Sequence, residues 1–195
     1  KKDNMKTIKL ALFASGSGTN VQQITEHFQS RPQSGVVVDC VVYNRKEAYV
    51  AERAKRLGVP AYYMTKADFM ESNKVLDLMR ERGIDYIILA GFLLLVPANL
   101  LQAFPERIVN IHPALLPKFG GKGMYGHHVH EAVVAAGERE TGITIHLVDE
   151  HFDHGRTLFQ STCPVSPTDT ADDVAARIHF LEQACFPAVI ENFVR

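Results

Sequence analysis

The sequence has no tryptophan and only three cysteines, Cys40, Cys163 and Cys185. Three widely separated thiols form no CxxC pair. That argues against a thiolate metal site or a disulfide framework and suits a reducing cytoplasm. No apolar run approaches the ~18 residues needed to span a bilayer. The longest candidate, YIILAGFLLLVPANLL, is broken by Gly91 and Pro97. No secretory signal opens the chain, so a cytoplasmic protein is the expectation. Charge of one sign is also missing: 21 basic against 22 acidic residues leave a net charge of −1. A nearly neutral chain has no general attraction for nucleic acid or an anionic membrane, and neither is expected as a partner. Internal repeats and low-complexity linkers are absent. Lys1–Asn4 precede Met5 and read as a remnant ahead of the natural start.

What remains is an ordinary globular composition, 46% hydrophobic and 22% charged over 195 residues. That length fits one domain with a full core. Short apolar runs alternate with helical patterns. Strands are expected at 7–14, 35–44, 60–64, 85–90, 107–112, 141–148 and 157–165. Helices are expected at 20–28, 47–58, 68–83, 96–104, 127–137 and 168–194. Gly58 and Gly83 stand where helices should close, and Thr170 with Asp173 has capping-box spacing ahead of the last helix. Near-continuous apolar strands alternating with helices imply a Rossmann-like α/β fold, with a mostly parallel sheet of about seven strands covered by helices on both faces. The short loop between the last two strands allows that pair to be antiparallel. Such sheets bind ligands at the carboxyl ends of their strands.

Two motifs fall there. ASGSGTN (14–20) joins the first strand to the first helix. Gly16 and Gly18 let backbone approach a ligand closely, the helix N-terminus presents unpaired N–H groups, and Ser17, Thr19 and Asn20 add donors. The combination suits a phosphate, although a plain tight turn with a helix cap has the same look. It is neither a dinucleotide fingerprint, since Val21 holds the place of the third glycine, nor a Walker A loop, since no lysine follows Gly18. The second motif is VNIHPALLP (109–117). Side chains alternate along a strand, so Asn110 and His112 share a face about 6–7 Å apart, and Pro113 ends the strand just beyond them. A satisfied histidine beside a turn-forming asparagine is the plain reading. Downstream, DEHFDHG places Asp149, Glu150 and Asp153 near another strand end. A carboxylate beside a histidine raises its pKa and fixes its orientation, and an amide can stabilise an oxyanion. Together, Asn, His and Asp suit acyl-type transfer to an amine. No serine or cysteine nucleophile stands out.

ASGSGTN, LAGFLLLVP, NIHPALLPKFGG, TGITIHLVDEHFDHG and DDVAARIHFLEQ resemble, in order and spacing, the phosphoribosylglycinamide formyltransferases of purine synthesis, from Lys9 to the C-terminus. The resemblance implies a folate-dependent enzyme with two small-molecule substrates, 10-formyltetrahydrofolate and 5-phosphoribosylglycinamide, no metal, and a monomeric or homodimeric state. It implies that Asn110 stabilises the oxyanion, that His112 is the general acid, and that Asp153 holds His112 protonated, with His146 in support. Gly16, Ser17, Gly18, Thr19 and Asn20 would take the substrate phosphate, with Glu182 and Pro113 near the ribose and amine. Leu93, Leu94, Leu95 and Val96, with Leu147, Val148 and Asp149, would line the folate pocket. The chain departs from the family pattern in three places. Leu94 replaces a frequent arginine, His154 interrupts the usual Asp-Gly-Gly, and GGKGMYGHHVH is longer than the usual Pro-Gly loop. His127, His128 and His130 lack a nearby thiolate and read as a solvated loop and helix start. Rival readings are another folate-dependent formyltransferase or hydrolase of the superfamily, which generally carries an additional domain, and a non-catalytic nucleotide-binding Rossmann module. The module would explain the glycine loop but not Asn110, His112 and Asp153.

Overall fold

The computed structural model describes residues 5–151 and 153–195; the Lys1–Asn4 segment read as a remnant lies outside the described residues, as does Phe152. Seven strands form one sheet in the order β3-β2-β1-β4-β5-β6-β7. The described residues divide into two compact units, one of residues 5–108 with Ile190–Arg195 and one within Val109–Val189.

In the first unit β1 (Ile8–Ala14) pairs in parallel with both β2 (Val36–Tyr43) and β4 (Tyr86–Leu89), and β2 pairs in parallel with β3 (Ala61–Tyr63). A strand flanked on both sides and covered on both faces reads as a continuous apolar run, and Leu10 to Ala14 are fully buried. Helix α1 (Thr19–Gln29) follows β1 and buries Val21, Ile24, Thr25 and Phe28, a 3.6-residue stripe. Helix α2 (Val50–Leu57) ends at Gly58 in the left-handed region, as its position predicts. The pattern at 68–83, expected as one helix, forms two: α3 (Lys66–Met70) and α4 (Lys74–Glu81). Thr65 and Asp68 make a capping box that starts α3 early. Ser72 then ends it: its hydroxyl donates to the Asp68 carbonyl and accepts from the Lys74 N–H, offering the backbone an alternative to helix continuation. Phe69 on α3 packs with Phe13 and Phe92, ring centroids 5.1–5.7 Å apart, fixing the chain that leaves β1 and β4. Helix α5 (Ala98–Ala103) follows β4.

The second unit carries β5 (Ile108–His112, from Val109 onward), α6 (His127–Ala135), β6 (Glu140–Leu147), β7 (Thr157–Pro164) and most of α7 (Ala171–Val194). The β6–β7 pair is antiparallel, as the short loop allows, but β5–β6 is antiparallel too. The Thr170–Asp173 capping box forms as its spacing predicts. The reading of His127, His128 and His130 as solvated needs correction. His127 and His128 are exposed, whereas His130 is 4% exposed on the buried face of α6 beside Val129 and Val133. Its Nδ1 has no hydrogen-bond partner among the described residues. Among those residues no group of histidines, cysteines and carboxylates is placed to hold a metal ion, and no helix is long and apolar enough to cross a membrane.

Burial, with the neighbouring His179, His127 and His112, pushes the His130 pKa down to about 4. The folded state therefore holds a neutral ring while the unfolded chain takes up a proton near the ordinary value of about 6.5. This contribution is complete above pH 6.5 and is lost as the pH falls toward 4. A shift of this size corresponds to roughly 3 kcal/mol at most. His130→Leu is expected to flatten the dependence of unfolding free energy on pH between 6.5 and 4, measured by urea denaturation.

Candidate active site

The second unit brings together residues from three segments around one carboxylate. Asn110 and His112 lie two residues apart on β5. The antiparallel register sets Asn110 directly opposite His146 and His112 opposite Thr144. Asn110 Nδ2 lies 3.3 Å from His146 Nε2. The Nδ1 of His146 donates to the Leu147 carbonyl at 2.9 Å, so in the neutral ring Nε2 accepts the amide hydrogen. From the loop after β6, Asp153 presents Oδ2 at 3.5 Å from His112 Nδ1 and Oδ1 at 3.6 Å from His146 Nε2. The other ring nitrogen of His112, Nε2, donates to the Phe119 carbonyl at 2.7 Å. The Gly121 N–H donates to Asp153 Oδ2 at 3.0 Å.

Close backbone packing makes this possible. A Cβ on Gly155 would lie 1.6 Å from the Leu147 carbonyl oxygen, and one on Gly142 would lie 1.9 Å from that of Ser161. A Cβ on Gly120 would approach the Leu116 side chain and Asp153. Asp153 itself takes a left-handed φ of 56°, a conformation that Asp tolerates better than most residues. Thr144, fully buried, accepts from the Leu116 N–H and from Gln160 and donates to the Ala114 carbonyl, tying the turn beyond His112 to β6.

The electrostatics correct one expectation. Asp153 was expected to hold His112 protonated. Burial instead pushes the His112 pKa below its ordinary value and is joined by His146; the Asp153 charge and the Phe119 carbonyl push upward without prevailing. Burial alone would raise Asp153, but the His146 interaction, the His112 charge and the Gly121 N–H together bring its carboxyl below the ordinary range. The arrangement is thus a carboxylate facing an imidazole that resists charging. Because Nε2 carries the hydrogen given to Phe119, an arriving proton lands on Nδ1, against Asp153.

In the first unit the glycine loop leaves β1. Gly18, at φ 80°, is the N-cap of α1, and no side chain hydrogen-bonds as its cap. As the N-cap, glycine offers the first-turn N–H groups no side-chain acceptor of its own. A Cβ on Gly18 would come within 2.5 Å of Val50. Beside the loop, the buried Ser15 accepts the Leu93 N–H at 2.9 Å and donates to Asn44 Oδ1 at 2.6 Å. Its own N–H donates to the Gly91 carbonyl. One hydroxyl thus fixes the chain ends beyond β1, β2 and β4.

The family model described as Formyl transferase matches residues 8–190. The chain belongs to the formyl transferase family. It is 43% identical over 187 residues to the chloroplastic phosphoribosylglycinamide formyltransferase of Arabidopsis thaliana, covering 93% of this chain and 64% of the relative. It is 32% identical to the phosphoribosylglycinamide formyltransferase of Haemophilus influenzae, covering 95% of this chain and 86% of that one. The crystal structure of glycinamide ribonucleotide transformylase 1 from Geobacillus kaustophilus superimposes with a TM-score of 0.88 at 37% identity, covering 97% of this chain and 100% of that one. The chain spans 64% and 60% of the lengths of two plant relatives, from Arabidopsis thaliana and Vigna unguiculata.

In this formyl transferase chain the structure brings Asn110, His112, Asp153 and His146 together. Asp149 and Glu150 do not join them: Asp149 accepts the His151 N–H, and Glu150 is exposed. Pro113 is half-buried just after β5, and Glu182 is half-buried on α7. Gly16, Ser17 and Thr19 are exposed, Gly18 is buried and Asn20 is half-buried. Leu93 and Leu95 are exposed and Leu94 is half-buried, whereas Val96 is 4% exposed and belongs to the core, so its side chain offers nothing to a ligand. Leu147 is also buried, with Val148 and Asp149 half-buried after it. The sequence reading missed Thr144, Gln160 and Ser15. Thr144 carried a signal, since it stands two residues before His146 and shares its strand face.

Two measurements test these contacts. Asp153→Asn removes the charge that raises His112, so the His112 pKa, followed by NMR titration, should fall further. Ser15→Ala leaves the Leu93 N–H and Asn44 without their shared partner and should cost about 1–3 kcal/mol in chemical denaturation.

Proposed function

We propose that the chain transfers the formyl group of 10-formyltetrahydrofolate to the glycinamide amine of 5-phosphoribosylglycinamide. The observation that carries this reading is the Asp153 carboxylate flanked by His112 and His146, with Asn110 against His146, in a chain of the formyl transferase family. The amine nitrogen attacks the formyl carbon, and the carbonyl oxygen takes up the electron pair. Asn110 has two amide hydrogens; one reaches His146 and the second meets the oxyanion. His112 exchanges the Phe119 carbonyl for substrate and gives its proton to the departing folate nitrogen as the carbon–nitrogen bond breaks. Asp153 accepts the proton shed by the amine, passes it to Nδ1 of His112 and stabilises the resulting imidazolium, whose Nε2 proton is the one given to the folate nitrogen. His146 keeps Asn110 and Asp153 in place.

The N-terminal half would supply substrate binding. Gly16 to Asn20 take the phosphate, supported by the glycine N-cap of α1 and the close packing at Gly18. Exposed Leu93 and Leu95, with Leu94, would offer the pterin ring apolar surface, and the backbone at Val148 and Asp149 would add polar contacts. Pro113 and Glu182 would meet the glycinamide ribose and amine. Folate and the phosphoribosyl amine are substrates, and no metal enters the reaction. We infer a cytoplasmic setting from the thiol content, noting that the plant relatives are named chloroplastic.

Formyl transfer with purified protein tests the proposal; absence of folate-dependent turnover with 5-phosphoribosylglycinamide would sink it. Asn110→Ala, His112→Ala and Asp153→Ala are each expected to lower kcat by about 10²–10⁴-fold while remaining folded by circular dichroism. A variant that retains wild-type turnover removes its residue from the mechanism.

A further inference from the structure

An anion site built from backbone needs its N–H groups turned outward and its carbonyls turned away. In the 16–18 loop each successive carbonyl is held by a donor. The Val50 N–H takes that of Gly16 at 3.2 Å, Arg53 Nε takes that of Ser17 at 2.7 Å, and the Gln22 N–H takes that of Gly18 at 2.9 Å. Two of the three donors belong to α2, and the Val50 side chain of the same helix presses on Gly18. Arg53 reaches further: its Nη1 bonds Gln22 Oε1 on α1, and its guanidinium lies 5.1 Å from the centroid of the Tyr49 ring. No carboxylate pairs with Arg53 among the described residues, so its charge is not neutralised by an ion pair. The 14–20 segment itself contains no lysine or arginine.

We propose that Arg53 is the positioning residue of the phosphate loop, holding the Ser17 carbonyl away from the bound phosphate and supplying the positive charge that the loop lacks. The inference rests on the reading of residues 16–20 as the phosphate site. It assigns Arg53 no contact with the reacting atoms. Its effect belongs to affinity for the phosphorylated substrate rather than to the chemical step.

The test compares wild type, Arg53→Gln and Arg53→Lys by calorimetry with 5-phosphoribosylglycinamide, with its dephosphorylated riboside and with a folate analogue, alongside steady-state kinetics. Arg53→Gln should weaken binding of the phosphorylated substrate by about tenfold or more, as expected for loss of a charge-assisted contact. Affinity for the riboside and the folate analogue should not change, and KM should rise with kcat nearly constant. Arg53→Lys keeps the charge without the two-directional fork and should fall between wild type and Arg53→Gln. This variant decides the matter if Arg53→Gln fails to fold. Unchanged affinity for the phosphorylated substrate in both variants overturns the proposal, and so does an equal loss for substrate and riboside, which marks general loosening. If wild type binds the riboside and the phosphorylated substrate equally, the phosphate-site reading fails together with the role of Arg53.

Discussion

The second unit is organised around a carboxylate that is almost out of water. The Asp153 side chain is 9% exposed and lies between two histidines that are more deeply buried still. A buried charge is tolerable only when its lone pairs are satisfied, and this requirement reaches outward through the fold. The Gly121 N–H must be presented, which fixes the loop after β5. The left-handed turn at Asp153 must be held, and Gly155 holds it by packing against the Leu147 carbonyl where no other residue would fit. His146 must be aimed, and its bond to the Leu147 carbonyl aims it. Remove the carboxylate and these devices lose their common object.

The first unit solves a different problem. Parallel strands leave several chain ends at one edge, and each must take a defined direction. Ser15 accepts from one end and donates to another, so a single buried hydroxyl sets the relation of three. The aromatic group of Phe13, Phe69 and Phe92 supports the same region from within the core. Rigid elements with ligand-facing loops at their ends are the arrangement that lets function vary while the core stays constant.

Much of this was legible in the sequence because apolar periodicity is a strong signal. The strand alternation set Asn110 and His112 on one face, and Pro113 marked where β5 ends. What stayed hidden depended on pairing. A strand–helix–strand pattern looks the same whether the second strand returns parallel or antiparallel, so the placement of His146 opposite Asn110 was invisible. The break in the 68–83 helix turned on side-chain competition at Ser72, which leaves the apolar spacing intact. His130 was misread because a run of histidines looks solvated until the helix face is known. The backbone partners, Phe119 and Gly121, have no sequence signature, since any residue offers a carbonyl or an N–H.

The charge state of His112 shows why proximity to a carboxylate does not suffice to infer a protonated histidine. At 3.5 Å Asp153 favours the imidazolium, yet the desolvation of a side chain only 4% exposed acts in the opposite direction and prevails. In the proposed reaction the balance would change as a negative oxygen forms nearby. A developing oxyanion adds a second favourable charge in a medium of low polarity, where such interactions are strongest. In that reading, the burial that disfavours charge on His112 would leave its charged form most stabilised when the tetrahedral intermediate forms. That is the property a proton donor needs if it is to act in the transition state rather than in the ground state.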